Sequence, residues 1–262
     1  GGSIAWISEK GSDRNIVNTH DKGRYIQQSY YAGIGVDRRS EGQSPFWSHF
    51  PWNALQAGDF YDNGAMLIEL EIGEGELYAK TRPLLWDMNN EFAQAYMETW
   101  IRLEEREVVF RGKLTRFVAD PRWGVREIFQ ELPACYLSAE LRNFFSYTGS
   151  DPWTYQIEPL PTERFWEDWV THESWVACVD DALWGFGVYF PGVATFSGGL
   201  YLRGEGDDPT AFVSPRLDAA LAEADEYEYQ CYFIVGQLNE IQHRVYLRRH
   251  REMLRYQGLP TE

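Results

Sequence analysis

Residues 226–235 read Glu-Tyr-Glu-Tyr-Gln-Cys-Tyr-Phe-Ile-Val. Tyr227, Tyr229, Cys231, Phe233 and Val235 fall on one side of an extended chain, and Glu226, Glu228 and Gln230 begin the other. This period of two marks a half-buried β-strand. The pattern recurs in weaker form along the whole chain. Segments at residues 65–72, 76–83, 95–103, 107–118, 125–137, 172–181, 185–190 and 194–201 read as strands, with turn residues between them. Gly73-Glu74-Gly75 and Glu104-Glu105-Arg106 mark hairpins. Short strands at 1–8 and 15–18 suggest that the chain opens with a hairpin, and a short helix is expected at 138–145, capped by Ser138. A helical turn is expected at 218–225.

One longer helix is expected, at about 239–255. Asn239 with Gln242 fits a capping box, and Ile241, Val245, Leu247 and Met253 supply an imperfect apolar stripe. Arg244, Arg248, Arg249 and Arg251 read as a solvated cationic face. About a dozen strands and one terminal helix predict an all-β antiparallel sandwich. The 262 residues carry no linker and no fixed-period repeat, so a single domain over 1–262 is expected.

Aromatic residues make up 16% of the chain, with 11 Trp, and this surplus must serve a large core or a ligand surface. A formal charge of −16 argues against nucleic acid and against long-range attraction of polyanionic glycans, and leaves neutral glycans unpenalised. No apolar run approaches the ~20 residues of a membrane span, so no membrane partner is expected. Cys135, Cys178 and Cys231 lie in strand-like runs without metal spacing and read as buried free thiols. Neither a metal nor another cofactor is expected: there is no P-loop, dinucleotide fingerprint, nucleophile elbow or H-E-x-x-H. His172-Glu173 is followed by Ser-Trp-Val, without a second histidine. The chain begins Gly-Gly-Ser without Met, which suggests a trimmed chain and a secreted or periplasmic home. No oligomeric state follows from these features.

The densest chemistry lies at residues 15–33. With 24–31 extended, Arg24, Ile26, Gln28 and Tyr30 share one face, and Tyr25, Gln27, Ser29 and Tyr31 the other. Rings beside amides and a guanidinium suit a sugar, which has apolar C–H faces and a hydroxyl rim. Residues 33–62 read as a long ordered loop walling the site, with Trp47, His49, Phe50 and Trp52. Acids beside aromatics recur at Asp21, Trp86-Asp87, Gln130-Glu131 and His172-Glu173 with Trp175.

Glycoside hydrolysis needs two carboxyl groups whose pKa values an apolar setting separates. Glu131 and Glu173 are the expected acid and base, each in an apolar strand where a lone carboxylate is costly. Asp21, Arg24, Gln28, Tyr30, Trp52, Trp86, Asp87 and Trp175 are the expected sugar-binding residues. Lysis of a uronate-containing glycan would draw on Arg24, Gln28, Tyr30 and His172. Anomer interconversion would draw on His172 with Glu131, and a non-catalytic glycan-binding module on none of these acids.

The opening Gly-Gly-Ser-Ile-Ala-Trp-Ile, then Asn-Ile-Val-Asn and Asp21-Lys22-Gly23-Arg24, resembles the first strands of galactose-mutarotase-like β-supersandwich proteins. Gln-Glu-Leu-Pro-Ala-Cys-Tyr at 130–136, His-Glu-Ser-Trp-Val-Ala at 172–177 and Gly-Phe-Gly-Val-Tyr-Phe-Pro at 185–191 are similar to proteins of polysaccharide-degrading bacteria. The resemblance implies a supersandwich fold and an oligo- or polysaccharide substrate, in a superfamily of sugar epimerases and of domains of lyases and hydrolases. Its aldose 1-epimerases use two His and one Glu.

Overall fold

The computed structural model describes residues 2–31, 37–48, 55–116, 128–202, 208–219 and 226–258. Along the chain these form β1 (Ile26–Ser29), β2 (Leu55–Gln56), β3 (Met66–Gly73), β4 (Glu76–Arg82), β5 (Leu84–Leu85), β6 (Ala95–Glu104), β7 (Glu107–Arg116) and β8 (Ile128–Ser138). There follow β9 (Asn143–Ser146), β10 (Glu158–Pro159), β11 (Glu167–Val170), β12 (Trp175–Val179), β13 (Trp184–Tyr189), β14 (Thr195–Tyr201), β15 (Thr210–Ala219), β16 (Glu226–Gln237) and α1 (Leu238–Tyr256).

Two antiparallel sheets carry the fold: five strands in the order β1-β8-β15-β14-β11, and nine in the order β10-β9-β12-β13-β16-β7-β6-β4-β3. β2 and β5 make a small third sheet. The main core lies between the two large sheets. Ile26, Cys135, Leu137, Phe196, Ala211 and Val213 of the smaller meet Met97, Phe110, Leu114, Val176, Phe186, Val188 and Phe233 of the larger. Tyr229, Cys231 and Phe233 of β16 all belong to this core, as their alternation requires. All three cysteines are free and buried.

A second cluster lies on the opposite face of the nine-stranded sheet, where Trp175, Ala177, Val179, Tyr189, Tyr232 and Ile234 meet Leu238, Ile241 and Val245 of α1. The chain is thus a β-sandwich with a C-terminal helix laid against its larger sheet.

Several local expectations are corrected. Residues 138–145 contain strand β9 rather than a helix, because Phe144 is needed in the core and the segment pairs with β12. The opening hairpin is reduced to single bridges, Ile4 to Ile26 and Val17 to Leu137. Of the expected turn at 218–225, Asp218 and Ala219 end β15 and the rest lies outside the described residues. The cap of α1 is Gln237 with Glu240, two residues earlier than expected. Arg248 is not solvated: it is 1% exposed and bonds Glu104 and Glu107. Burying that guanidinium requires paired carboxylates, and the β6–β7 hairpin supplies them.

Candidate functional site

The outer face of the five-stranded sheet, away from the core, forms the floor of a cleft of about 280 Å³. This is close to the ~300 Å³ lower end of small-molecule sites and suits a single sugar ring. Tyr136 and Thr210 lie on the floor, and Tyr31 stands beside them.

One wall is aromatic. Trp47 and Trp86 meet edge to face with centroids 5.9 Å apart, and Phe60 packs on both. Asp59 holds this wall: its carboxylate accepts the backbone N–H of Tyr61, Asn63 and Asn90, while the Phe60 N–H donates to the Trp86 carbonyl. Phe165, Trp166 and Tyr201 form the facing wall. Asp21, Gly23 and Arg24 close one end. The Asp21 carboxylate caps its own turn by accepting the N–H of Gly23 and Arg24. Gly23 is required there because a Cβ would sit 2.5 Å from the Trp86 ring. Arg24 lies over the Tyr136 ring at 5.5 Å, with its Nε 3.7 Å from Asp21.

Beneath this cleft is Glu131, on β8 and 4% exposed. The Tyr31 hydroxyl donates to its Oε2 at 2.5 Å. Burial pushes the Glu131 carboxyl up to about 7, against the opposing pull of the Tyr31 bond and of Arg216. Arg216 faces Glu131 across the β8–β15 pair. The Tyr31 phenol is itself driven well above its usual range by burial, so it stays a donor near neutral pH. A carboxyl that is part protonated near neutrality, linked by one hydroxyl to an aromatic cleft, can give or take a proton.

The expected site residues divide. Asp21, Arg24 and Trp86 line the cleft, and Glu131 underlies it. Asp87 sits behind the aromatic wall, 3% exposed, where it accepts from Gln43 while its carbonyl accepts from the Ser44 N–H. It holds the Trp47 loop rather than a ligand.

Gln28 and Tyr30 point into the core instead of the cleft. Gln28 donates to the Glu98 carbonyl and to Thr99 Oγ1, and accepts from the Tyr30 hydroxyl at 2.7 Å. The expected alternation holds from Ile26 to Tyr31: Ile26, Gln28 and Tyr30 face the core, while Ser29 and Tyr31 turn to the cleft side. The face carrying Gln28 and Tyr30 is the buried one because Ile26 commits it to the core, and only Arg24, before the positive-φ Tyr25, leaves that face to reach the cleft.

Glu173, Trp175 and His172 lie elsewhere. Glu173 is fully buried beside α1, and its carboxylate accepts from the Trp153 N–H, the Tyr246 hydroxyl and Trp175 Nε1. Trp175 belongs to the cluster under the helix. The exposed His172 ring meets the Gly149 carbonyl. Glu173 and Trp175 lie on the α1 side of the nine-stranded sheet while Glu131 lies on the five-stranded one, so Glu131 and Glu173 do not share a cleft, and His172, exposed on the turn between β11 and β12, does not line it. Trp52, His49 and Phe50 fall outside the described residues. No cluster of metal-ligating side chains is present among the described residues.

Gln56, Tyr136, Tyr201 and Thr210 line the cleft without having been expected. For Tyr31 and Tyr136 a signal existed, since both flank the Gln130-Glu131 and Asp21–Arg24 motifs. Gln56 and Thr210 carry none.

A larger groove of about 470 Å³ crosses the nine-stranded sheet along Tyr78, Trp100, Arg111 and Gln230. Tyr78 is bonded there to Glu98, Arg111 to Glu228 and Gln230 to Tyr232, and among the described residues no buried acid underlies it as Glu131 underlies the smaller cleft. The smaller cleft, with its buried acid, is the candidate site.

No family model matches the chain, and no curated protein matches it. Among solved structures it is similar to the "putative aldose 1-epimerase" of Escherichia coli K12, at 7% identity over 86% of this chain and 90% of that one, with a TM-score of 0.45. It is also similar to a GH36 α-galactosidase from Geobacillus stearothermophilus (8% identity, 65% and 25% covered, TM-score 0.42). A third likeness is to a 4-α-glucanotransferase from Thermococcus litoralis (10% identity, 88% and 31% covered, TM-score 0.39). At such identities and TM-scores these likenesses assign neither a reaction nor a substrate.

Proposed function

We propose that this protein is a carbohydrate-active enzyme that binds a saccharide in the aromatic cleft and moves a proton to or from it through Tyr31 and Glu131. The observation that carries this reading is the buried Glu131 carboxyl, raised to about 7 and bonded to a tyrosine hydroxyl that lines the cleft. Trp47, Trp86 and Phe60 offer flat apolar faces to C–H groups. Asp21, Arg24, Gln56 and Thr210 offer polar contacts to hydroxyls.

In the acid direction, Tyr31 gives its proton to a leaving oxygen and regains one from protonated Glu131. In the base direction, ionised Glu131 takes the Tyr31 proton as Tyr31 takes one from the sugar. Where the reaction is hydrolysis, the second carboxyl is Asp21, which lies on the same cleft, since Glu173 is sealed away. Anomer interconversion, in which one group takes the C1 hydroxyl proton and another protonates the ring oxygen, likewise needs the Tyr31–Glu131 pair together with Asp21.

The test is a screen of neutral and uronate-containing saccharides, read by reducing ends, by ultraviolet absorbance of an unsaturated product, and by optical rotation. The expected result is turnover of at least one saccharide, lost in Glu131→Gln while binding persists. Binding without turnover by any readout would leave a glycan-binding module, and absence of binding would remove the saccharide.

A further inference from the structure

Gln56 is 6% exposed, on the two-residue strand β2. Its Nε2 donates to Ser29 Oγ at 2.9 Å. Its Oε1 has no hydrogen-bond partner, although the side chain lines the cleft. A buried carbonyl oxygen without a donor is costly, and native proteins keep few of them. The neighbouring glutamines are fully engaged. Gln27 donates to the Lys22 and Arg24 carbonyls and accepts from the Ala57 N–H. Gln130 brackets the Tyr31 backbone on both sides. Of the three, Gln56 alone keeps an acceptor without a partner, and its side chain lines the cleft.

The other end of the Gln56 amide leads to the acid. Gln56 Nε2 holds Ser29, the Ser29 hydroxyl draws down the pKa of the Tyr31 phenol beside it, and Tyr31 bonds Glu131. A donor arriving at Oε1 polarises the amide and strengthens its N–H as a donor, and such polarisation passes along a hydrogen-bonded chain.

We infer that Gln56 is the specificity-determining residue of the cleft, accepting a hydrogen bond from one hydroxyl of the bound saccharide and, through Ser29 and Tyr31, holding Glu131 in register with it. This rests on the saccharide reading of the cleft. A site built to bond a hydroxyl rejects the analogue lacking it, because its own polar atom is then left unpaired. The substrate therefore presents a ring or side-chain hydroxyl at this wall, and sugars deoxygenated at that carbon are excluded.

The experiment titrates wild type, Gln56→Leu and Gln56→Met with the methyl β-glycosides of glucose, galactose and mannose, and with each monodeoxy derivative of those that bind. For wild type, one deoxygenated position weakens binding by about 10–100-fold, and the others by much less. In both variants the parent glycoside weakens by a similar factor, and the penalty at that one position falls below about threefold, which marks the two groups as direct partners. The alkaline or acidic limb assigned to Glu131 in the pH–rate profile also moves in the variants, which loss of a mere packing contact leaves in place.

An undiminished penalty in folded variants overturns the role of Gln56 and leaves the saccharide reading standing. A wild type indifferent to every deoxygenation overturns it with no variant needed. Failure of all three parent glycosides to bind wild type at tens of millimolar, about the weakest affinity a filled sugar site would show, removes the saccharide reading and this inference with it.

Discussion

Glu131 and Glu173 are two buried glutamates, each preceding a strand-forming apolar run and each beside aromatic rings, yet they do opposite work. Glu173 receives three donors from three separate segments: the Trp153 backbone, the Trp175 indole and the Tyr246 phenol. It ties the 147–157 segment and α1 to the end of β12. Glu131 receives the Tyr31 hydroxyl at one oxygen, and its pKa rises to about 7. The number of donors decides the outcome. A carboxylate supplied with several hydrogen bonds is stabilised in place, whereas one left nearly alone by burial is poised to exchange a proton.

The sharpest way to break this contrast is kinetic. Glu131→Gln should lower turnover of whichever saccharide is processed by about 10²–10⁴-fold with little change in sugar binding. Glu173→Gln should leave turnover within a few-fold of wild type. Equal losses in the two variants, measured on the same substrate, would erase the distinction.

Stability should show the reverse order. Glu173→Ala takes the acceptor from the buried Trp175 indole and from the half-buried Trp153 N–H and Tyr246 hydroxyl, and should cost about 3 kcal/mol in urea denaturation. A loss under 1 kcal/mol would mean that Glu173 is not holding the helix layer.

The pH dependence tests Glu131 by itself. Because the Glu131 carboxyl is raised, the folded protein keeps this proton where the unfolded chain has released it. Its contribution to stability therefore falls as pH rises from about 4.5 to about 7 and then levels off. The total is about 3 kcal/mol at most. Glu131→Gln should flatten that fall, so the variant gains on wild type between pH 5 and pH 8, about the range the raised pKa spans. A constant difference between the two melts across that range would contradict the raised pKa.

Gly23→Ala tests the wall without touching the acid. The new methyl meets the Trp86 ring, so the indole must shift, at about 1–3 kcal/mol. Saccharide affinity should drop by roughly tenfold while the Glu131 limb of the pH profile stays where it was, a pairing visible by calorimetry and kinetics together. The smallest effect on stability belongs to Tyr31→Phe, at about 1 kcal/mol, although turnover should fall about as far as in Glu131→Gln because the proton passes through that hydroxyl. The variant also loses a bond that holds the Glu131 pKa down, so the fall of stability with pH should extend to higher pH. A fall that ends at lower pH than in wild type would refute the Tyr31–Glu131 link.

The strands were legible because their side chains alternate every two residues wherever one face is buried, as in β16 and in the β6–β7 hairpin. The helix was legible from Ile241 and Val245, which are buried, although Leu247 and Met253 of the expected stripe are exposed and the cap lies two residues earlier, and the thiols were legible from their apolar runs. Motif density also marked the Asp21–Tyr31 and Gln130–Glu131 segments as a pair of interest, and these converge at the cleft.

Which glutamate meets which neighbours was decided only in three dimensions. Alternation put Tyr30 and Tyr31 on opposite faces of β1, and only the packing of Ile26 and Tyr30 into the core decided that Tyr31 is the one at the cleft. The side of the sheet on which α1 docks buried Glu173, Trp175 and Arg248, and the pairing of β8 with β15 placed Arg216 opposite Glu131. Periodicity reports burial within one strand. The protonation of a carboxyl depends on donors that arrive from segments distant in the chain, and only folding brings those together.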